Sequence, residues 1–115
     1  PEETQQVLVE KGSLQYKVEE FTDEAVVKIS GWALNRKTLR AGTLNIVLTG
    51  QDKQQYIVKS ERLYRPDVRD AFGKRRLAFA GFEAAFIKQN LPKQHYEVSL
   101  VLDGDARMVG SIVVA

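Results

Sequence analysis

The chain has 115 residues, 43% hydrophobic and 28% charged, which is the make-up of one globular domain and not of a disordered or fibrous chain. Its net charge of +2 is too small to argue for nucleic acid, whose binders usually concentrate basic charge on one face. With no cysteine there is no disulfide and no thiolate chemistry, and no apolar run approaches the roughly 18–20 residues of a membrane span.

Residues 1–5 are expected to form a loose end, and a start at Pro1 instead of Met is expected of a piece of a longer protein. A short strand at Gln6–Val9 is optional. From Leu14 onward a period of two dominates. Leu14, Tyr16 and Val18 alternate with Gln15, Lys17 and Glu19. Ala25, Val27, Ile29 and Ala33 share one face, with Lys28 and Ser30 on the other. Thr22-Asp23 is expected to divide these two strands. Leu44, Ile46 and Leu48 form a third face, and Tyr56 and Val58 a fourth, with Gly50-Gln51-Asp52-Lys53 as the hairpin between them. Phe82, Ala84 and Phe86 form a fifth; Tyr96, Val98, Leu100 and Leu102 a sixth. Asp103-Gly104-Asp105 then offers the glycine a tight hairpin needs, before a last apolar stretch with Met108, Ile112 and Val114. About seven half-buried strands predict an all-β fold, an antiparallel sandwich of two packed sheets in one domain spanning 1–115.

Residues 62–78 break the alternation. Pro66 suits the first position of a helix, Val68 and Phe72 are spaced to share a helical face, and Gly73 is a natural stop. One or two helical turns over Pro66–Phe72 are predicted inside a long connection, a place where function often resides.

Catalytic signatures are sparse. His95 is the only histidine and stands at the start of a strand, so zinc sites built from His and Cys are excluded. A Ser-His-Asp triad would have to use His95, and no Gly-x-Ser-x-Gly turn accompanies it. There is no glycine-rich phosphate loop. Glycoside hydrolysis by paired carboxylates would fall to acids such as Asp67 and Glu83, but most acids lie on solvent faces or in turns. Asp103-Gly104-Asp105 lacks the remaining spacing of a calcium loop. The expectation is a chain that is not an enzyme, with no metal and no cofactor.

Two features point to a ligand or a partner. Arg62, Arg65, Arg69, Lys74, Arg75 and Arg76 fall within 15 residues, interleaved with Glu61, Asp67 and Asp70. They form either a solvated, internally paired connection or a surface for an anionic ligand, since arginine offers planar forks to carboxylates and phosphates. Stacking aromatics near them are few, Tyr64 and Phe72, which argues against nucleic acid. Trp32 is the single tryptophan. Alternation puts it on the outer face with Lys28 and Ser30, where an indole can stack on a sugar or anchor an interface; a bulge at Gly31 would flip the register and bury it.

Three segments resemble a known family. Val26-Val27-Lys28-Ile29-Ser30-Gly31-Trp32-Ala33-Leu34 is similar to the apolar-x-Ile-x-Gly-aromatic-Ala-apolar strand of a small bacterial β-sandwich module. Arg65-Pro66-Asp67-Val68 resembles its Arg-x-Asp-Val signature. Ala80-Gly81-Phe82-Glu83-Ala84, with Leu91-Pro92 and Tyr96-Glu97-Val98-Ser99-Leu100, resembles its ending, although Gln94-His95 stands where the pattern has a glycine. Such modules accompany bacterial surface-polysaccharide and teichoic-acid-type glycosyltransferases and other cell-envelope proteins. The resemblance spans about residues 24–102. It implies an immunoglobulin-like sandwich with an accessory, non-catalytic role in the bacterial cell envelope or at its cytoplasmic or extracytoplasmic face. The implied partners are a glycan, an anionic cell-wall polymer or neighbouring domains; it supplies no agreed ligand.

The same residues carry structural expectations of their own. Asp67 can accept hydrogen bonds from the free amides of the first helical turn. Val68 and Phe72 can pin that turn to the sandwich, and Gly81 before Phe82 allows close backbone approach where the chain returns to a sheet. Arg65–Phe72 and Ala80–Phe82 are then expected to form a lid over an open end of the core. A purely structural or protein-interaction domain, pairing through its edge strands, is the competing expectation.

Overall fold

The structure is a computed structural model and describes residues 12–115, so the terminal residues 1–5 and the optional strand at Gln6–Val9 lie outside the described residues. Within them the order is β1 (Leu14–Asp23), β2 (Val26–Asn35), β3 (Leu44–Gly50), β4 (Gln55–Lys59), β5 (Glu61–Leu63), α1 (Pro66–Phe72), β6 (Gly81–Ile87), β7 (His95–Leu102) and β8 (Asp105–Val113). Single 3₁₀ turns lie at Arg75–Leu77 and Lys88–Asn90. All pairing between strands is antiparallel, in two four-stranded sheets of order β1-β2-β6-β5 and β4-β3-β7-β8. The molecule is an all-β sandwich.

The alternating faces make the main core. Leu14, Val27, Ile29, Ala33, Phe82 and Ala84 of the first sheet meet Leu44, Ile46, Leu48, Tyr96, Val98, Leu100, Leu102 and Ile112 of the second. Each valine, leucine, isoleucine or phenylalanine among them, taken out of water, contributes roughly 1.5–3 kcal/mol before the entropy of ordering is set against it. Chain reversals follow their residues. Asp103 and Gly104 both have positive φ, 49° and 87°, which is the type I′ geometry that suits strand twist. At the other hairpin, the Lys53 amide donates to the Gly50 carbonyl at 3.0 Å. The β1–β2 turn falls at Glu24–Ala25, not at Thr22-Asp23. Those two residues pair with Lys28 and Val27, so the ladder runs past them.

Two irregularities adjust the faces. Between Val18 and Glu20 the β1–β2 register slips, which makes Glu19 an extra residue and turns Phe21 inward. Opposite it, Gly31 admits no side chain, because a Cβ there would lie 2.0 Å from the Lys17 carbonyl oxygen. The bulge is therefore on β1, and Gly31 lets the bulged strand approach. A second slip, between Val98 and Ser99, makes Val109 the extra residue of β8. Val109 packs on the core and Met108 faces solvent, 55% exposed. Tyr96 closes one end of the core. Its hydroxyl donates to the Pro92 carbonyl at 2.7 Å, and its ring meets Tyr56 edge-on.

The segment 62–78 holds one strand more than its sequence announces. β5 pairs with β6 through Glu61, Arg62 and Leu63. Ser60 alone links β4 of one sheet to β5 of the other, its hydroxyl donating to the Leu44 carbonyl at 3.1 Å. The predicted helix is present over the same residues, with Pro66 in its first turn and Gly73 in the left-handed conformation at its end. It does not plug an end of the core. It lies on the outer face of the first sheet, where Val68, Leu77 and Ala80 bury Leu34, with Trp32 and Phe72 against them. Two outward apolar residues on one strand, Trp32 and Leu34, need such a cover.

Candidate functional site

The connection between β5 and β6 gathers most of the side chains singled out in the sequence, but it gives them different work. Arg62 is half-buried and serves backbone carbonyls. Its Nη1 donates to Ala33 at 3.1 Å and Ala80 at 2.9 Å, and its Nη2 donates to Ala41. Nε is buried without a hydrogen-bond partner. Burial pulls this guanidinium down to about 10, well below the usual arginine range, opposed by the charge of Asp103. Asp103 itself is held below the usual carboxylate range, first by the Asn35 side-chain amide at 3.0 Å and then by the Thr43 amide. Arg62 thus ties three segments of chain together and offers little to a ligand.

Arg65 is a double clamp. Its guanidinium meets Glu19 at 2.6 and 3.1 Å and Asp67 at 3.0 and 2.9 Å, two paired contacts from one planar fork. Its stem crosses Gly81, where a Cβ would stand 2.6 Å from the Arg65 Cγ. This is the close approach expected of Gly81: the Leu63 backbone carbonyl would stand 2.8 Å from the same Cβ, and the Arg65 stem adds a side chain to it. The pair with Arg65 lowers the Asp67 carboxyl to about 2; the amides of Val68 and Asp67 contribute least. Asp67 therefore serves Arg65 before it serves the first-turn amides. Glu19 is lowered by the same arginine.

Trp32 lies on the outer face, as alternation places it, yet α1 half-buries it. Its ring and that of Phe72 meet edge-on at 6.1 Å. Arg76 donates from Nε to the Leu39 carbonyl at 3.0 Å.

Arg69, Arg75 and Lys74 remain at the surface, in company the sequence did not announce. The Arg65 amide donates to the Ala78 carbonyl at 2.7 Å, a step beyond the paired residues of β5 and β6 that ties Arg65 to the turn before β6. That step sets Tyr64 beside Phe79, with ring centroids 5.5 Å apart and a tilt of 51°. Both rings are more than half exposed, 54% and 56%. Arg69 lies over the Tyr64 ring at 5.8 Å, donates to its hydroxyl at 3.1 Å, and pairs with Asp70 at 3.0 Å. On the far side of Arg69 opens a groove of about 570 Å³, lined by Arg69, Asp70, Gly73, Lys74, Arg75 and Ala78. Phe79 has no periodicity to announce it. The available signal was an aromatic between two alanines, where Leu77 and Ala80 turn inward.

His95 lines a separate groove of about 560 Å³ on the second sheet, with Lys53, Glu97, Met108 and Ser111. Among the described residues no group of acidic or histidine side chains is arranged to hold a metal ion, and no helix is long and apolar enough to cross a membrane. No family model matches the chain, and neither does any curated protein or solved structure.

Proposed function

We propose that the chain is a non-catalytic accessory module of a bacterial cell-envelope or glycan-handling protein, which binds or positions a glycan or anionic polymer through the β5–β6 connection. The observation that carries this reading is the exposed Tyr64–Phe79 pair with Arg69 laid against it. Two large rings left in water, brought together beside the Arg65–Ala78 backbone bond and flanked by cations, form a platform of the kind that stacks on the apolar face of a sugar. We further propose that the sandwich is immunoglobulin-like. Lettered in chain order, its sheets read A-B-E-D and C′-C-F-G. Tyr96, early in the F strand β7, bonds back to the Pro92 carbonyl as the tyrosine of an immunoglobulin corner does. The test is calorimetric titration of the chain with envelope glycans and anionic cell-wall polymers, beside a Tyr64→Ala/Phe79→Ala variant. Binding that the double variant loses supports the proposal; no binding to any of them overturns it.

A protein-interaction role has one observation of its own. On the outer face of the second sheet, Ile57, Val47, Ser99 and Met108 stand in register across four strands, with Ile57 68% exposed. If that row is the working surface, Ile57→Lys abolishes partner capture or self-association in sedimentation, and the Tyr64→Ala/Phe79→Ala variant leaves it intact.

A further inference from the structure

We infer that the groove beside the aromatic pair is an anion subsite, so that the ligand is an acidic sugar chain with a carboxylate or phosphate substituent next to the stacked ring. This rests on the glycan-binding reading above and narrows it.

The argument begins with what each cation is already doing. Arg62 is spent on backbone carbonyls, Arg65 on Glu19 and Asp67, and Arg76 on Leu39. Arg69 is shared between Tyr64 and Asp70. Lys74 and Arg75 are exposed and, among the described residues, neither side chain has an acidic partner. Both line the groove, where three cations face one carboxylate, and that carboxylate, Asp70, is already taken by Arg69.

Backbone geometry fixes the two free cations in place. The Gly73 and Lys74 amides close the end of α1 on the carbonyls of Asp70 and Arg69 at 3.2 Å each. The 3₁₀ turn that begins at Arg75 follows immediately, and its Leu77 is fully buried. Lys74 and Arg75 therefore project from a short, doubly anchored stretch and not from a free loop. Arg69 is common to the groove and to the aromatic platform, which makes the two parts of one surface.

A ring-shaped apolar platform next to two unspent cations fits a sugar with an acidic neighbour. Glu61, Asp67 and Asp70 in the same connection work against a closely spaced phosphodiester chain such as single-stranded nucleic acid.

The experiment titrates the chain with oligogalacturonate, its methyl ester, a phosphomannan, a neutral mannan and a single-stranded oligonucleotide, for the wild type and for Lys74→Gln/Arg75→Gln. Unchanged Trp32 emission shows that the variant is folded. The inference expects the acidic probes to bind about tenfold more tightly than their neutral counterparts, and the variant to erase that difference. Oligogalacturonate and phosphomannan distinguish a carboxylate subsite from a phosphate subsite. Acidic-probe binding that the variant retains overturns the inference, as does tighter binding of the oligonucleotide. Equal binding of acidic and neutral probes overturns it and leaves the glycan-binding reading standing. No binding of any sugar overturns both.

Discussion

At the scale of single residues, the arginines decide most of what this surface is. Arg62 satisfies the carbonyls of Ala33, Ala80 and Ala41 from within the structure. Arg62→Met would remove those hydrogen bonds, leaving the Ala80 carbonyl with the Ala33 amide, and is expected to cost roughly 2–4 kcal/mol, read as a lower urea midpoint with an unchanged slope. Arg65 makes stability depend on acid. Asp67, down to about 2, and Glu19 are both more acidic in the folded chain than in the unfolded one. Their contribution is complete above about pH 5.5, where both are ionised in either state, and drains away as pH falls toward about 2. Arg65→Met should flatten that decline in thermal unfolding across pH 7 to 2. A residual slope is expected, because the Asp103 carboxyl is lowered by Asn35 and Thr43 independently of Arg65. A variant as steep as the wild type would remove Arg65 from this role.

At the scale of elements, α1 is too short to be stable alone and exists because it covers Trp32 and Leu34. Phe72→Ala removes the ring that meets Trp32 edge-on. It is expected to shift Trp32 emission to the red and to lower stability by about 1–2 kcal/mol, less than for a fully buried ring. The helix was legible in the sequence because its signals are local: Pro66, the spacing of Val68 and Phe72, and Gly73. So were β3 and β7, whose alternation is unbroken. β5 was not, because three residues carry no period. The β1 bulge left only a faint mark, the consecutive acids Glu19 and Glu20 before Phe21. The site was legible as a run of cations but not as a platform, since Tyr64 and Phe79 meet only where the chain comes back past α1 to bond Arg65 to Ala78. Nor could the sequence separate occupied arginines from Lys74 and Arg75, since their partners lie on other elements.

At the scale of the whole molecule, the order of pairing matters more than any one strand. β2 waits for β6, and β3 for β7, so the hairpins β1–β2, β3–β4 and β7–β8 are joined into sheets only after long segments have closed. Refolding followed by Trp32 fluorescence is expected in the millisecond-to-second range; relaxation in microseconds would contradict a sandwich built from such distant partners. Among the described residues β1 is an outer strand, ten residues long, and an outer strand is a template on which copies can stack into fibres. Glu19 interrupts it. The extra residue bends the strand, breaks the row of open amides and carbonyls, and leaves two acids at the break. The residue whose carboxylate ties down the helix through Arg65 is thus also the one that interrupts the molecule's outer edge, so one position serves both the cover of the first sheet and the shape of its margin.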